Sequence, residues 1–253
     1  MNKPVVSVEK LNKTFVSQAN EKVTALEDIN LSVYENEFVS IIGPSGCGKS
    51  TLLRIVSKLE TYDNGTITYN TEGPIDENIG FVFQDSVLFP WKTVYQNATF
   101  PLKVKKLENE KHLRYVDALL EKTGLSKFKN ALPKELSGGM RQRVSIVRSL
   151  SYNPKLLLMD EPFGALDAIT RDTLNLELAK ITREEKMTVM FVTHDIEEAV
   201  FLSSKVIVMS ARPGQIKEVV AIDLPSERTL ELKTDPRFIE YTKQLRGLLN
   251  ENS

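Results

Sequence analysis

Apolar residues in this chain occur in two kinds of run. The first is short and nearly continuous: EFVSIIG (37–43), KLLLMD (155–160), TVMFVTH (188–194) and KVIVMS (205–210). Such runs predict parallel strands covered on both faces. The second kind is spaced. Met140, Val144 and Val147 recur at helical intervals, and KHLRYVDALLEKTG (111–124) reads as a helix closed by Gly124. VVSVEKL (5–11), ALEDINLSV (25–33) and FVFQ (81–84) predict further strands, and Asn64-Gly65 within TYDNGTITYN predicts a hairpin. TLLRIVSKL (51–59) and the crossover DIEEAVFL (195–202) predict helices. The tail carries a strand at EVVAID (218–223) and an amphipathic helix at PRFIEYTKQLRGLL (236–249). The sum is an α/β domain whose stretch from about 94 to 150 is a helical insertion.

Composition narrows what such a domain does. With 253 residues and 41% hydrophobic residues the chain can build a substantial core. Its 33 basic and 34 acidic residues leave a net charge of −1, which argues against nucleic acid as a partner. The single cysteine, Cys47, allows no internal disulfide and points to a reducing compartment. The N-terminus lacks the apolar run of a signal peptide, and no run of about 18 apolar residues could cross a bilayer. A membrane role would need a partner chain.

Three motifs carry chemistry. Gly43-Pro44-Ser45-Gly46-Cys47-Gly48-Lys49-Ser50, continued by Thr51, fits the phosphate-binding loop, with a predicted strand before it and a helix after it. Its backbone N–H groups can curl around phosphates, Lys49 can reach the β- and γ-phosphates, and the Ser50 hydroxyl can ligate Mg²⁺. Asp160 emerges at the end of KLLLMD, where α/β sheets bind ligands, and is placed to hold Mg²⁺; Glu161 beside it can orient or deprotonate a water. In LSGGMRQ (136–142), Ser137 sits where an N-cap belongs, and Gly138 and Gly139 occupy the first helical turn. That is a second anion site, far from the first.

A phosphate loop followed by LSGGMRQ and then by LLLMDEP resembles the ATP-binding cassette (ABC) ATPases of transporters, over essentially the whole chain. The resemblance implies a P-loop NTPase (RecA-like) core with an N-terminal antiparallel β region and a helical insertion. It assigns residues 5–236 to the ATPase domain, with core at about 1–90 and 151–215, a helical subdomain at about 91–150, and a C-terminal helix or tail at 237–253. It also implies roles residue by residue. Phe15 in KTF stacks on adenine. Gln84 touches Mg²⁺ and links core to insertion. Asp167 in GALDA matches the D-loop, counted among the nucleotide-binding residues. His194 contacts the γ-phosphate. Two chains stack head to tail around ATP, with Ser137, Gly138 and Gly139 of one closing on the nucleotide of the other.

FPWKTVYQN, EPFGALDAITR and ARPGQI followed by DLP resemble the importer branch serving nitrate, sulfonates, taurine and thiamine-related pyrimidines. The resemblance therefore implies integral membrane permease subunits as partners, a solute-binding protein acting indirectly, and a peripheral place on the cytoplasmic face of the cell membrane. Trp91 reads either as a packing aromatic or as part of the permease groove. Cys47 reads as filler of a permissive loop position rather than a redox sensor, with a thiol that bound nucleotide would cover. His112 reads as a surface residue. Asn36 stands where many relatives have glycine, at a turn, and asparagine tolerates left-handed backbone. A non-transport ATPase acting on DNA or ribosomes and a P-loop kinase remain alternatives. The first lacks its usual coiled coil or second cassette, and the second leaves LSGGMRQ unexplained.

Overall fold

In a computed structural model, which describes residues 3–16 and 20–250, two sheets and their helices enclose two apolar cores, one on each face of the larger sheet. The chain runs β1 (Val6–Val16), β2 (Lys22–Val33), β3 (Phe38–Ile42), α1 (Lys49–Val56), β4 (Asn64–Tyr69), α2 (Ile75–Asn78), β5 (Ile79–Val82), α3 (Val94–Val104), α4 (Glu110–Lys122), α5 (Gly138–Leu150), β6 (Leu156–Asp160), α6 (Ala168–Glu184), β7 (Thr188–Val192), α7 (Ile196–Leu202), β8 (Lys205–Met209), β9 (Ile216–Ala221) and α8 (Pro236–Asn250). The larger sheet has the order β5-β6-β7-β3-β8-β9. Its strands are parallel except β9, which returns antiparallel to β8.

The apolar runs behave as their patterning predicts. Leu157 and Met159 of β6 enter the core beneath α3, α5 and α6, while Leu156 and Leu158 enter the opposite one beneath α1 and the small sheet. Val189 and Phe191 of β7 face the first core, Met190 and Val192 the second. Full burial of each such side chain contributes about 1.5–3 kcal/mol. Sandwiching the sheet fixes its register, and with it the level at which the C-terminal ends of β3, β6 and β7 open to solvent.

One expectation changes. Asn64-Gly65 turns no hairpin: Asn64 opens β4, which pairs antiparallel with β1 through Asn12↔Asn64 and Val6↔Tyr69. The small sheet is therefore β2-β1-β4, with β4 joining the consecutive β1 and β2 from about 30 residues further along the chain. The tail helix starts at Pro236 and packs Phe238 and Leu245 into the same core as the parallel sheet. Asn36 does adopt a left-handed turn, at φ 64°.

Candidate functional site

The loop between β3 and α1 needs backbone that side chains resist. Gly46 and Gly48 have φ of 76° and 105°, and Gly48 is the N-cap of α1. Lys49, only 6% exposed, folds back to donate from Nζ to the Gly43 and Pro44 carbonyls at 2.9 and 3.1 Å. That clasp closes the loop into a ring open at the helix N-terminus, where backbone N–H groups and the helix dipole favour an anion.

β7 lies between β3 and β6, yet the loop reaches across it. Ser50 Oγ donates to Asp160 Oδ1 at 2.6 Å. Asp160 is 4% exposed, and burial pushes its carboxyl above the usual range against the opposing pull of the Ser50 hydrogen bond. Two hard oxygen donors in contact, one on a buried carboxyl held by a single hydroxyl, suit a small divalent cation.

Glu161 follows with φ 45°, a conformation that costs a non-glycine residue of order 1–3 kcal/mol. Its N–H is tied to the Val192 carbonyl at 2.9 Å, so β7 holds the strained peptide in place. Its Oε2 lies 3.3 Å from His194 Nδ1, which follows the end of β7. Phe15, 40% exposed, lines one pocket with Val23, Ala25, Ser45, Gly46, Gly48, Lys49, Ser50, Thr51 and Glu161. The Lys13 ammonium lies over the Phe15 ring at 4.7 Å, which leaves the other face for a flat ligand.

Other expected site residues lie elsewhere. Gln84 is exposed, two residues beyond Val82, whose register partner is Met159. It stands at the rim beside the end of β6 and does not line the pocket. Asp167 is the N-cap of α6, accepting from the Thr170 N–H at 3.0 Å; that bond holds its carboxyl below the usual range. Cys47 is 1% exposed, with Sγ turned inward near Lys49 Nζ at 3.9 Å, so only its backbone is positioned for a ligand and burial alone already shields the thiol. His112 is half-buried, and among the described residues its buried Nδ1 has no hydrogen-bond partner, so it is not a plain surface residue.

Ser137 caps α5 by accepting from the Met140 N–H at 3.2 Å, as its position predicts. None of Ser137, Gly138 and Gly139 lines the pocket of their own chain. The two glycines differ. Gly138 is exposed, and a Cβ there would meet nothing nearer than Leu166 at 3.5 Å. A Cβ on Gly139 would stand 2.7 Å from Thr170 Cγ2, so this glycine already serves the contact of α5 with α6. Gly139→Ala should therefore lower the melting temperature by a few degrees, because overpacking of about 1–3 kcal/mol outweighs the better helix propensity. Gly138→Ala should leave it equal or higher. Thermal denaturation of the two variants side by side checks this, and equal melting temperatures would contradict it.

One polar group beside the site escaped the sequence reading. Glu198 of α7 is 5% exposed and accepts from Thr193 Oγ1, with the Asn175 side chain of α6 beside it. Burial pushes its carboxyl up to about 7, against the Thr193 hydrogen bond. A raised folded value means that the stabilising contribution is complete below the unfolded value near 4.5 and is lost as pH rises through 7. Glu198→Gln should melt several degrees above the natural protein at pH 8 and near it at pH 5. A difference independent of pH would remove Glu198 as the cause.

Comparison with known proteins decides the family. Residues 26–164 match the ABC transporter family model. The chain belongs to the ABC transporter family. It is 46% identical over 249 residues to an uncharacterized ABC transporter ATP-binding protein, MJ0412, of Methanocaldococcus jannaschii, covering 97% of this chain and 91% of that one. It is 42% identical over 253 residues to the nitrate import ATP-binding protein NrtD of Synechocystis, covering 96% and 94%. It is 44% identical over 232 residues to the aliphatic sulfonates import ATP-binding protein SsuB of Bacillus licheniformis, covering 90% and 88%. Among solved structures it resembles the ATP-binding cassette MJ0796, described as a dimer in a post-hydrolysis state bound to ADP and Pi. The TM-score is 0.74 at 33% identity, over 87% of this chain and all of that one. The ABC ATPase fold, with its antiparallel small sheet and parallel large sheet, is thus shared with a cassette caught after hydrolysis.

Proposed function

We propose that this ABC ATPase is the energy-coupling subunit of a bacterial importer for small anions such as nitrate or sulfonates, or for thiamine-precursor-like compounds. The carrying observation is the convergence of three strand ends beside one pocket: the clasped phosphate loop after β3, Asp160 at the end of β6 in contact with Ser50, and Glu161, which lines the pocket, beside His194 after β7.

On this reading the Phe15 ring stacks on adenine and the loop N–H groups, with Lys49 and Thr51, take the phosphates. Ser50 and Asp160 would hold Mg²⁺, with Gln84 swinging in from the rim. The ion would neutralise charge on the phosphate oxygens. Glu161 takes a proton from the attacking water while the water oxygen bonds to the γ-phosphorus and the bond from that phosphorus to the bridging oxygen of the departing ADP breaks. His194 orients Glu161 and contacts the γ-phosphate. ADP and inorganic phosphate leave, and the proton passes from Glu161 to solvent. Asp167 and the Ser137-Gly138-Gly139 turn act on a second copy of the chain in a homodimer.

The transport half rests on a groove. Leu59, Val87, Trp91 and Val104 are 57%, 59%, 72% and 64% exposed, and all four line one apolar depression bounded by α3 and the end of β5. Trp91 does not fill the core; it packs on Phe89 with centroids 5.7 Å apart, at the groove wall. No helix among the described residues is long and apolar enough to cross a membrane, so the occupant of that groove is read as a segment of a separate permease. The stretch 91–150 then works as the helical subdomain that carries the permease contact to the core at about 1–90 and 151–215, within an ATPase domain of residues 5–236. The chain lies peripherally on the cytoplasmic side, and a solute-binding protein selects the cargo beyond the permease.

The test has two parts. The purified chain should hydrolyse ATP, and both Lys49→Ala and removal of Mg²⁺ by EDTA should abolish that turnover. Co-purified with its permease, residues 84–91 should gain protection from hydrogen exchange. An active Lys49→Ala protein would overturn the site, and unchanged exchange in a demonstrated complex would overturn the groove.

A further inference from the structure

The loop after β8 reaches the nucleotide pocket. Residues 210–215 are pinned at their base: the Gly214 N–H donates to the Ala25 carbonyl and the Gly214 carbonyl accepts from the Glu27 N–H, both at 3.0 Å. Gln215 Nε2 donates to Glu27 Oε2 at 2.7 Å, and Ser210 Oγ accepts from the Gln215 N–H at 3.0 Å. The loop lies so close to the phosphate loop that a Cβ on Gly214 would stand 1.9 Å from the Cys47 carbonyl oxygen. Only glycine fits there, and its close approach delivers the side chain two residues earlier.

That side chain is Arg212. Its guanidinium donates from Nε (3.2 Å) and Nη2 (3.0 Å) to the carbonyl of Gly46, in the middle of the phosphate loop. Arg212 lines the same pocket as Phe15, Lys49 and Glu161. Among the described residues its guanidinium pairs with no carboxylate. A full positive charge therefore stands at the mouth of a pocket read as taking a polyanion, held there by a loop tied to both β2 and the phosphate loop.

We propose that Arg212 is a nucleotide-affinity residue, a second cation of the phosphate site beside Lys49. This rests on reading the pocket as the nucleotide site. Within roughly 7 Å, in a water-like dielectric, a unit charge changes affinity by a factor of about three for each phosphate charge it faces. Salt screens part of this. Removing the charge should thus weaken ATP about five- to tenfold, ADP less, and either nucleotide less at high salt.

The experiment titrates the natural protein, Arg212→Gln, Arg212→Lys and Lys49→Ala with mant-ATP and mant-ADP, in EDTA to prevent turnover, at low and high salt. Melting temperatures report folding. The expected result is a loss of about five- to tenfold for ATP in Arg212→Gln. That loss should be smaller for ADP, shrink with salt, and be largely restored in Arg212→Lys, which keeps the charge. A loss under twofold overturns the proposal. So does a loss equal for both nucleotides, insensitive to salt and not rescued by lysine, because that is the behaviour of a loop brace. If the natural protein binds neither nucleotide, the reading of the pocket itself fails. Binding by the natural protein with no change in Arg212→Gln removes only the role of Arg212.

Discussion

Glu161→Gln should bind ATP and turn it over at least a hundredfold more slowly than the natural protein. The amide has the size and hydrogen-bonding reach of the carboxylate, so the 3.3 Å approach to His194 Nδ1 can persist. What it lacks is basicity, and loss of a positioned general base costs typically 10²–10⁴ in rate. The backbone makes this substitution cleaner than most. Residue 161 should keep its φ of 45° and its N–H on the Val192 carbonyl, because the substitution leaves the backbone untouched, so the strain should not change and melting temperatures should agree within about a degree or two. ATP that binds without being consumed should also hold two chains together, visible as an ATP-dependent dimer on size exclusion. Lys49→Ala contrasts with this, because removing the Nζ clasp on Gly43 and Pro44 opens the loop and weakens binding itself. Turnover in Glu161→Gln within threefold of the natural protein would remove Glu161 as the base.

The parallel strands and the phosphate loop were legible because their chemistry is local: an apolar run, then glycines at the strand end, then a helix. What lay hidden depends on contacts between distant segments. The long helix α6 escaped notice because its inner face mixes buried Leu174, Leu178 and Ile181 with equally buried Asn175 and Thr182, which blurs the apolar period. The Asn64-Gly65 pair carries a strong turn signal, yet β1 captures it as a strand, since pairing along Val6↔Tyr69 outweighs a local preference. Gly139 resembles Gly138 in sequence and differs only once Thr170 of α6 is in place. Arg212 and Gly46 stand 166 residues apart, a separation that no spacing rule reaches.

Mixing two inactive chains, Lys49→Ala and Ser137→Arg, should restore one nucleotide site in each mixed dimer. Ser137 is exposed, caps α5 and lies outside its own chain's pocket, so an action on nucleotide calls for a second copy. In a head-to-tail pair each site combines the phosphate loop of one chain with the α5 start of the other. Each homodimer then has both sites broken. The mixed dimer places both lesions in one site and leaves the other intact, so nucleotide should be trapped at about half the natural stoichiometry even where full turnover needs both sites. Arginine at 137 also removes a cap worth about 1 kcal/mol, so a second variant separates folding from function. Ser137→Asp keeps the cap acceptor for the Met140 N–H while setting a negative charge against the γ-phosphate, and it should complement Lys49→Ala in the same way. If Ser137 served its own chain, the mixed dimer would hold one chain unable to grip phosphate and another unable to close on it, with no intact site. Absence of trapped nucleotide in mixed dimers verified by two affinity tags would therefore defeat the shared-site arrangement, and with it the idea that ATP joins the two chains.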